Sequence, residues 1–133
     1  MCTNSNIEKL TKFKNKQSII AYKIISNIDG YFYPIYKNNR YCFGSNKKML
    51  TWDNSGENPF EILNGFSVFL NKKDAIKVFN NIKNIYLGVQ VYKVKCSNVV
   101  NAGKWGYSVQ KNSPFDKMNV AEVRYMEFLE KIR

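Results

Sequence analysis

The segment GFSVFLNKKDAIKVFNNIK, residues 65–83, predicts a short apolar strand that leads directly into an amphipathic helix. Asn71 is a favourable helix N-cap residue, and Asp74 stands three positions later, which is the spacing of a capping box. The apolar stripe of the predicted helix consists of Ala75, Ile76, Phe79 and Ile82. A strand pattern over residues 85–96 follows, and this spacing permits a crossover helix that packs on a sheet.

Strand patterns surround this unit. Residues 19–28 are apolar on both faces, which predicts a central strand. Asp29-Gly30 then predicts a turn into a second strand, Tyr31–Tyr36, at the start of an antiparallel meander. Near Val91 the apolar side chains change from odd to even positions, which indicates either a bulge or a strand covered on both faces.

The C-terminal segment, residues 120–132, supports two interpretations. Its apolar residues recur every three positions, as in a helix, while its first half alternates as in a strand. We favour a strand that runs into a helical turn, after a further short strand within residues 99–109. The fold class that results is α+β, a mostly antiparallel twisted sheet with one packed central helix and a short N-terminal helix.

The predicted domain organisation is an N-terminal helical extension, residues 1–16, and a single α+β domain, residues 17–133. Ser5 and Glu8 have capping-box spacing, and Ile7, Leu10 and Phe13 follow three apart. This extension either docks on the domain through its apolar residues or acts as a basic arm that folds on a partner.

Charge is the main compositional signal for function. The chain carries 18 lysines and three arginines against ten acidic residues, for a net charge of +11, and it has no histidine. Such a surplus favours an acidic partner, either nucleic acid or an acidic protein surface, although a basic surface that only confers solubility is the alternative. The oligomeric state is not predictable from these features.

Cysteine use and hydropathy place further bounds on the class of protein. Three widely spaced cysteines, Cys2, Cys42 and Cys96, indicate neither a disulfide framework nor a zinc site. No apolar run is long enough to cross a bilayer, and none resembles a signal peptide. We therefore expect a cytoplasmic, intracellular protein with no membrane association, no metal and no cofactor.

Two candidate binding sites stand out. Asn71, Lys72 and Lys73 begin the predicted helix, where free backbone amides favour an anion; the alternative is that both lysines reflect only the general excess. The second candidate is an aromatic and basic hairpin that could stack unpaired bases or, alternatively, belong to the core. Its residues are Tyr33, Tyr36, Lys37, Arg40 and Tyr41.

No catalytic set can be identified. Without histidine, Ser-His-Asp and Cys-His arrangements are excluded, and no phosphate-binding glycine loop of the Walker or dinucleotide type is present. A paired-carboxylate enzyme would require two of the acidic residues to converge, which a sequence does not show. The catalytic residues therefore remain unknown, and an enzymatic function is less favoured than binding.

Part of the chain resembles known proteins. The run Gly65-Phe66-Ser67-Val68-Phe69, the helix with Asp74-Ala75, and the strand Val89–Val94 resemble small phage and viral proteins and, more remotely, compact ADP-ribosyltransferase-like domains. The resemblance covers about a third of the chain. It implies a position for Ser67 near a nicotinamide-dinucleotide pocket and makes Glu122 or Glu127 the candidate catalytic acid. Tyr22-Lys23 stands where that family has its first-strand Arg or His.

These features together favour a non-enzymatic, basic intracellular binding protein that engages nucleic acid or a nucleic-acid-processing protein complex. The resemblance to phage and viral proteins implies a host-interaction factor. An ADP-ribosyltransferase-like enzyme and a self-associating structural component are the alternatives.

Overall fold

A computed structural model of the chain describes residues 3–5, 12–13, 18–35, 49–51, 66–105 and 118–133. These residues form a mostly antiparallel sheet and one helix, so the α+β class is confirmed. The elements are β1 (Thr3–Ser5), β2 (Ile19–Ile28), β3 (Tyr31–Pro34), β4 (Met49–Thr51), β5 (Phe66–Phe69), α1 (Lys72–Ile82), β6 (Val89–Trp105) and β7 (Asn119–Lys131).

A tight hairpin joins β2 to β3, as the Asp29-Gly30 pair predicted. Asp29 has φ 54° and Gly30 has φ 85°, the left-handed conformations that a two-residue hairpin turn of type I′ requires. The Gly30 amide also donates a hydrogen bond to Asn27 Oδ1 at 3.0 Å. β3 ends at Pro34, and the predicted turn over residues 37–40 lies outside the described residues.

The strand pairings close a circuit of four strands. β2 pairs with β6 over eight residues and with β5 through a single register pair, Tyr22 with Phe69. β7 then pairs with both β5 and β6, so that β6, β2, β5 and β7 return to their starting point. Because β6 is 17 residues long and β7 is 13, they can pair with each other beyond the shorter strands.

Apolar side chains fill both faces of this circuit. One buried cluster draws on all four strands and includes Ile25, Val68, Val94, Val123 and Met126. The second cluster lies between the strands and α1, and it includes Ile24, Phe69, Ala75, Val78 and Val91. β2 is therefore a central strand with apolar residues on both faces, as predicted, because Ile24 belongs to one cluster and Ile25 to the other.

Lys23 supports the weakest junction of the circuit. Its side chain is buried, and Nζ donates a hydrogen bond to the backbone carbonyl of Ser67 at 2.7 Å. β2 and β5 share only the Tyr22–Phe69 register pair, so this ammonium group supplies a cross-strand bond next to it. A buried cation requires such a partner, because desolvation without one costs several kcal/mol, on the order estimated for isolated charges in protein interiors.

β6 explains the change of apolar parity near Val91. Val91 packs against α1, whereas Val94 and Cys96 belong to the four-strand cluster, so this part of the strand is covered on both faces. A register shift with β7 lies between Lys93 and Val94, slightly later than the predicted bulge position. β6 joins the predicted strands into one, from Val89 to Trp105; residues 85–88 precede it, and residues 106–109 lie outside the described residues.

Two terminal predictions require correction. Residues 120–132 contain no helical turn: β7 extends from Asn119 to Lys131. At the other terminus, residues 3–5 form β1, with Ser5 opposite Gly103 in a ladder with β6, rather than the start of a helix. The backbone of β6 offers pairing partners that the local capping pattern does not reveal. Lys12 and Phe13 are helical, and the rest of the predicted helix over 1–16 lies outside the described residues.

Candidate functional site

α1 carries a concentrated group of exposed lysines. Ala75, Val78 and Ile82 bury one side of this helix, so the opposite side faces solvent. We call the exposed side chains of Lys72, Lys73, Lys77 and Lys83 the lysine face. Lys73 and Lys77 are one helical turn apart, where two like charges destabilise a helix by about 0.2–0.5 kcal/mol.

Asn71 begins α1 but does not cap it with its side chain. The residue has the extended backbone of an N-cap, and its carbonyl accepts the Ala75 amide at 3.2 Å. Its side chain makes no capping hydrogen bond; Nδ2 is 3.5 Å from Asp74 Oδ2 and donates to it instead. Asn71, Lys72 and Lys73 are all exposed, so the structure brings this predicted anion site to the surface, and anion binding there stays a prediction.

The lysines of β6 have a different environment. Lys93 stands opposite Glu130 in the β6–β7 ladder, and Lys95 stands opposite Glu127. Cross-strand pairs of opposite charge contribute about 0.2–1 kcal/mol to a sheet. Each of these lysines therefore has a carboxylate as its cross-strand neighbour, whereas Lys73 and Lys77 are neighbours of each other on a helix whose first turn holds one acidic residue, Asp74.

The predicted aromatic site falls partly within the described residues. Tyr33 is half-buried opposite Ser26, and its neighbour Tyr31 is 51% exposed. Phe32 points to the other side, where its ring lies 5.2 Å from that of Tyr92 and 5.1 Å from that of Phe128. Tyr36, Lys37, Arg40 and Tyr41 lie outside the described residues, so a stacking platform stays a prediction.

Ser67 and Glu122 are adjacent, directly opposite each other on β5 and β7. Glu122 is only 2% exposed, so a substrate cannot reach its carboxylate in this conformation. Glu127 follows five residues later, about 16 Å along an extended strand, so the two carboxylates do not form a pair. A paired-carboxylate site of Glu122 and Glu127 is therefore not formed, and the choice of either residue as the catalytic acid implied by the ADP-ribosyltransferase resemblance stays a prediction.

Cys96 is a buried thiol with raised pKa. It is 1% exposed within the four-strand cluster, and burial raises its pKa to about 12, although the charge of nearby Lys23 lowers it in part. A protonated thiol is a poor nucleophile and a poor metal ligand. Among the described residues, no group of three or more Cys, Asp or Glu side chains could hold a metal ion.

An open groove of about 400 Å³ lies beside the start of α1. Its lining residues are Phe13, Ser18, Ile19, Ile20 and Leu70, and polar atoms form slightly more of its exposed surface than apolar atoms do. Leu70 immediately precedes Asn71, so the groove adjoins the exposed first turn of the helix. A ligand in it would meet polar atoms as well as apolar side chains. The only described helix with assigned bounds, α1, is too short to span a bilayer.

Sequence patterns missed two exposed residues, Ile85 and Leu87, which were assigned to a strand. In the structure they lie in the turn between α1 and β6 and are 71% and 72% exposed. Asn84 and Gly88 flank this short apolar run, and such residues at both ends are typical of a turn. That signal could have separated the turn from the strand.

No family model, no curated protein and no solved structure matches the chain. The resemblance to phage, viral and ADP-ribosyltransferase-like proteins stays a prediction.

Proposed function

We propose that this chain is a basic binding protein that engages an acidic partner through the lysine face of α1. The contrast between two groups of lysines carries the proposal. Lys93 and Lys95 face carboxylates across the β6–β7 ladder, whereas Lys73 and Lys77 adjoin each other on a helix. An anionic surface would relieve this repulsion.

The sequence after the first turn of α1 adds no negative charge over a long stretch. Between Asp74 and Asp116 there is no Asp or Glu, while Lys77 and Lys83 add positive charge on α1 and directly after it. A polyanion that approaches α1 therefore meets little negative charge from this part of the chain. Attraction of this kind speeds encounter and falls steeply as salt concentration rises.

Two charge-matched double variants test the proposal. Lys73→Ala/Lys77→Ala removes two charges from the lysine face, and Lys93→Ala/Lys95→Ala removes two from β6. Fluorescence anisotropy with a labelled single-stranded oligodeoxynucleotide and with a labelled polyglutamate peptide measures binding between about 50 and 200 mM salt.

We expect the α1 variant to weaken binding of both probes and to lower the salt slope for the oligonucleotide by roughly 1.4, about 0.7 for each lost phosphate contact. The β6 variant should change binding much less, because a carboxylate stands opposite each of its two lysines. Equal losses in both variants would show that net charge alone governs binding. If the unmodified protein binds neither probe, the proposal is refuted.

The alternatives remain open to direct measurement. An ADP-ribosyltransferase-like activity would release nicotinamide from the dinucleotide and would be lost in Glu122→Ala or in Glu127→Ala. The burial of Glu122 makes this less favoured than binding. Self-association as a structural component would appear on a sizing column as a concentration-dependent increase in mass.

A further inference from the structure

The turn that follows α1 presents two large aliphatic side chains to solvent. We call Ile85 and Leu87 the apolar tip; at 71% and 72% exposed, they are more exposed than any other large apolar side chain in the described part of the chain. Tyr86 lies between them and packs partly against the cluster beneath α1. Single exposed aliphatic residues are common on protein surfaces, so the significance of this pair depends on how it is held.

Hydrogen bonds fix the backbone of this turn at both ends. The Ile85 amide donates to the Ile82 carbonyl at 2.9 Å, and the Asn27 amide donates to the Gly88 carbonyl at 2.8 Å. Ser26 Oγ also donates to the Leu87 carbonyl. Gly88 packs so tightly on Asn27 that an added Cβ would lie 2.1 Å from its carbonyl oxygen. The apolar tip is therefore held outward on a well-supported turn.

A rigid turn lowers the entropy that its side chains lose when they bind. The same aliphatic groups on a mobile loop would bind less tightly, because the loop would lose conformational entropy on association. The end of β2 adds to the same region, because Tyr31 lies opposite Ile28 in the β2–β3 ladder and is 51% exposed. The arrangement is typical of the centre of a protein interface, where a few apolar anchors supply most of the binding energy.

The surrounding charge indicates which surface these anchors fit. Lys83 is exposed two residues before Ile85 and continues the lysine face of α1, whereas the β2–β3 hairpin at the end of β2 contributes one exposed carboxylate, that of Asp29. A second copy of a chain with net charge +11 would be repelled at this surface. Phosphate backbones are bound mainly by cations and polar groups and do not require two exposed aliphatic side chains. A protein surface with carboxylates around an apolar pocket complements both the lysines and the tip.

We propose that the apolar tip is a docking anchor for an acidic protein surface, with Ile85 and Leu87 in an apolar pocket and Lys83 against its carboxylate rim. This inference rests on the proposed function, and it specifies the acidic partner as a protein rather than a nucleic acid.

Three anionic probes test the inference. The first is an acidic amphipathic peptide with leucines on one helical face and glutamates elsewhere, the second is a polyglutamate peptide of equal charge, and the third is an oligodeoxynucleotide. Binding is compared for the unmodified protein, for Ile85→Ser/Leu87→Ser, for Leu87→Ser alone, and for Leu129→Ser. The last variant is the matched control for Leu87→Ser, because Leu129 is 47% exposed on β7, outside both the turn and the groove beside α1. Circular dichroism confirms that each variant is folded.

We expect the amphipathic peptide to bind at least about tenfold more tightly than polyglutamate, because burial of two aliphatic side chains is worth at least that factor. Ile85→Ser/Leu87→Ser should remove this advantage and leave binding of the other probes unchanged, and Leu87→Ser should lose more of the advantage than Leu129→Ser. Equal affinity for the two peptides, or equal losses in Leu87→Ser and Leu129→Ser, would overturn the inference.

Failure of the proposed function has a different signature. If polyglutamate and the oligonucleotide both fail to bind while the amphipathic peptide binds through the tip, the proposed role of Lys73 and Lys77 is refuted and the docking anchor stands. If the first two bind and the amphipathic peptide gains nothing, the lysine face stands and the docking anchor is refuted.

Discussion

Replacement of Gly88 by alanine should be among the most destabilising single-methyl changes in the described part of the chain. Gly88 has φ 65°, and a Cβ there would lie 2.1 Å from the Asn27 carbonyl oxygen and 3.0 Å from its carbonyl carbon. Those are backbone atoms of β2, so no side chain can rotate away to make room. The strand end must move, and its movement disturbs the bond from the Asn27 amide to the Gly88 carbonyl.

The magnitude follows from three contributions. A left-handed backbone costs a non-glycine residue about 1–2 kcal/mol, and overpacking costs about 1–3 kcal/mol. Loss of the hydrogen bond to Asn27 adds about 0.5–1.5 kcal/mol. We therefore expect Gly88→Ala to lower the free energy of unfolding by roughly 3–6 kcal/mol, a large part of the stability of a typical domain.

Gly30→Ala is the matched control. Gly30 has φ 85°, but nothing lies within 4 Å of a Cβ built on it, so only the backbone penalty applies, about 1–2 kcal/mol. Urea unfolding followed by circular dichroism gives both free energies from the midpoint and slope. If Gly88→Ala is no more destabilising than Gly30→Ala, the result contradicts the close packing of the turn on β2.

Two further predictions concern the core. Met126→Ala should lower the free energy of unfolding by about 2–5 kcal/mol, because Met126 is fully buried. Leu129, three residues later, is exposed, so Leu129→Ala should change the free energy of unfolding by no more than about 0.5 kcal/mol. Equal effects of the two substitutions in urea unfolding would contradict the burial of Met126 in β7. In a Cys2→Ser/Cys42→Ser background, Cys96 should react with a disulfide reagent at mildly alkaline pH only after unfolding. Burial raises the pKa of Cys96 in the folded protein to about 12. The stability that the buried thiol contributes is therefore complete below the pKa of the unfolded state and declines as pH rises from that value toward 12. Rapid reaction of Cys96 in the native protein would refute its burial.

Local sequence patterns were sufficient for the elements whose neighbours are close in sequence. β5 and α1 follow each other directly, and the amphipathic stripe of α1 is set by its own residues. The Asp29-Gly30 turn likewise encodes its left-handed backbone in two positions. In β2, apolar residues on both faces predicted a central strand because the pattern reflects burial on both sides.

The C-terminal strand shows why other elements could not be predicted. Val120, Ala121, Glu122 and Val123 are all buried, because β7 is covered on both faces where it pairs with β5 and β6. Farther along, the ladder with β6 shifts register, so the apolar positions no longer alternate strictly. A period of three residues results by coincidence and imitates a helix. Closure of the circuit depends on pairings between distant segments, which no local pattern contains.

Only part of the candidate site could be predicted from the sequence, for the same reason. Lys72 and Lys73 were recognisable because the helix start was, and they remain on the surface as expected. The contrast with Lys93 and Lys95 depends on the register of β6 against β7, so it required the three-dimensional pairing. Exposure of Ile85 and Leu87 depends on the end of α1 and the hydrogen bonds of its turn to β2.

Residues whose local energetics oppose folding are concentrated on α1 and in the turn after it. Lysines in the first turn oppose the helix dipole at a cost of about 0.3–1 kcal/mol each when exposed. Lys73 and Lys77 repel each other, and Ile85 and Leu87 leave apolar area in water although the backbone that carries them is firmly bonded. On β6 the opposite holds, because Lys93 and Lys95 stand opposite carboxylates and Val91 and Val94 are buried. Natural sequences depart from local consistency mainly at functional sites, so one contiguous region with several such departures is where a partner is expected to bind.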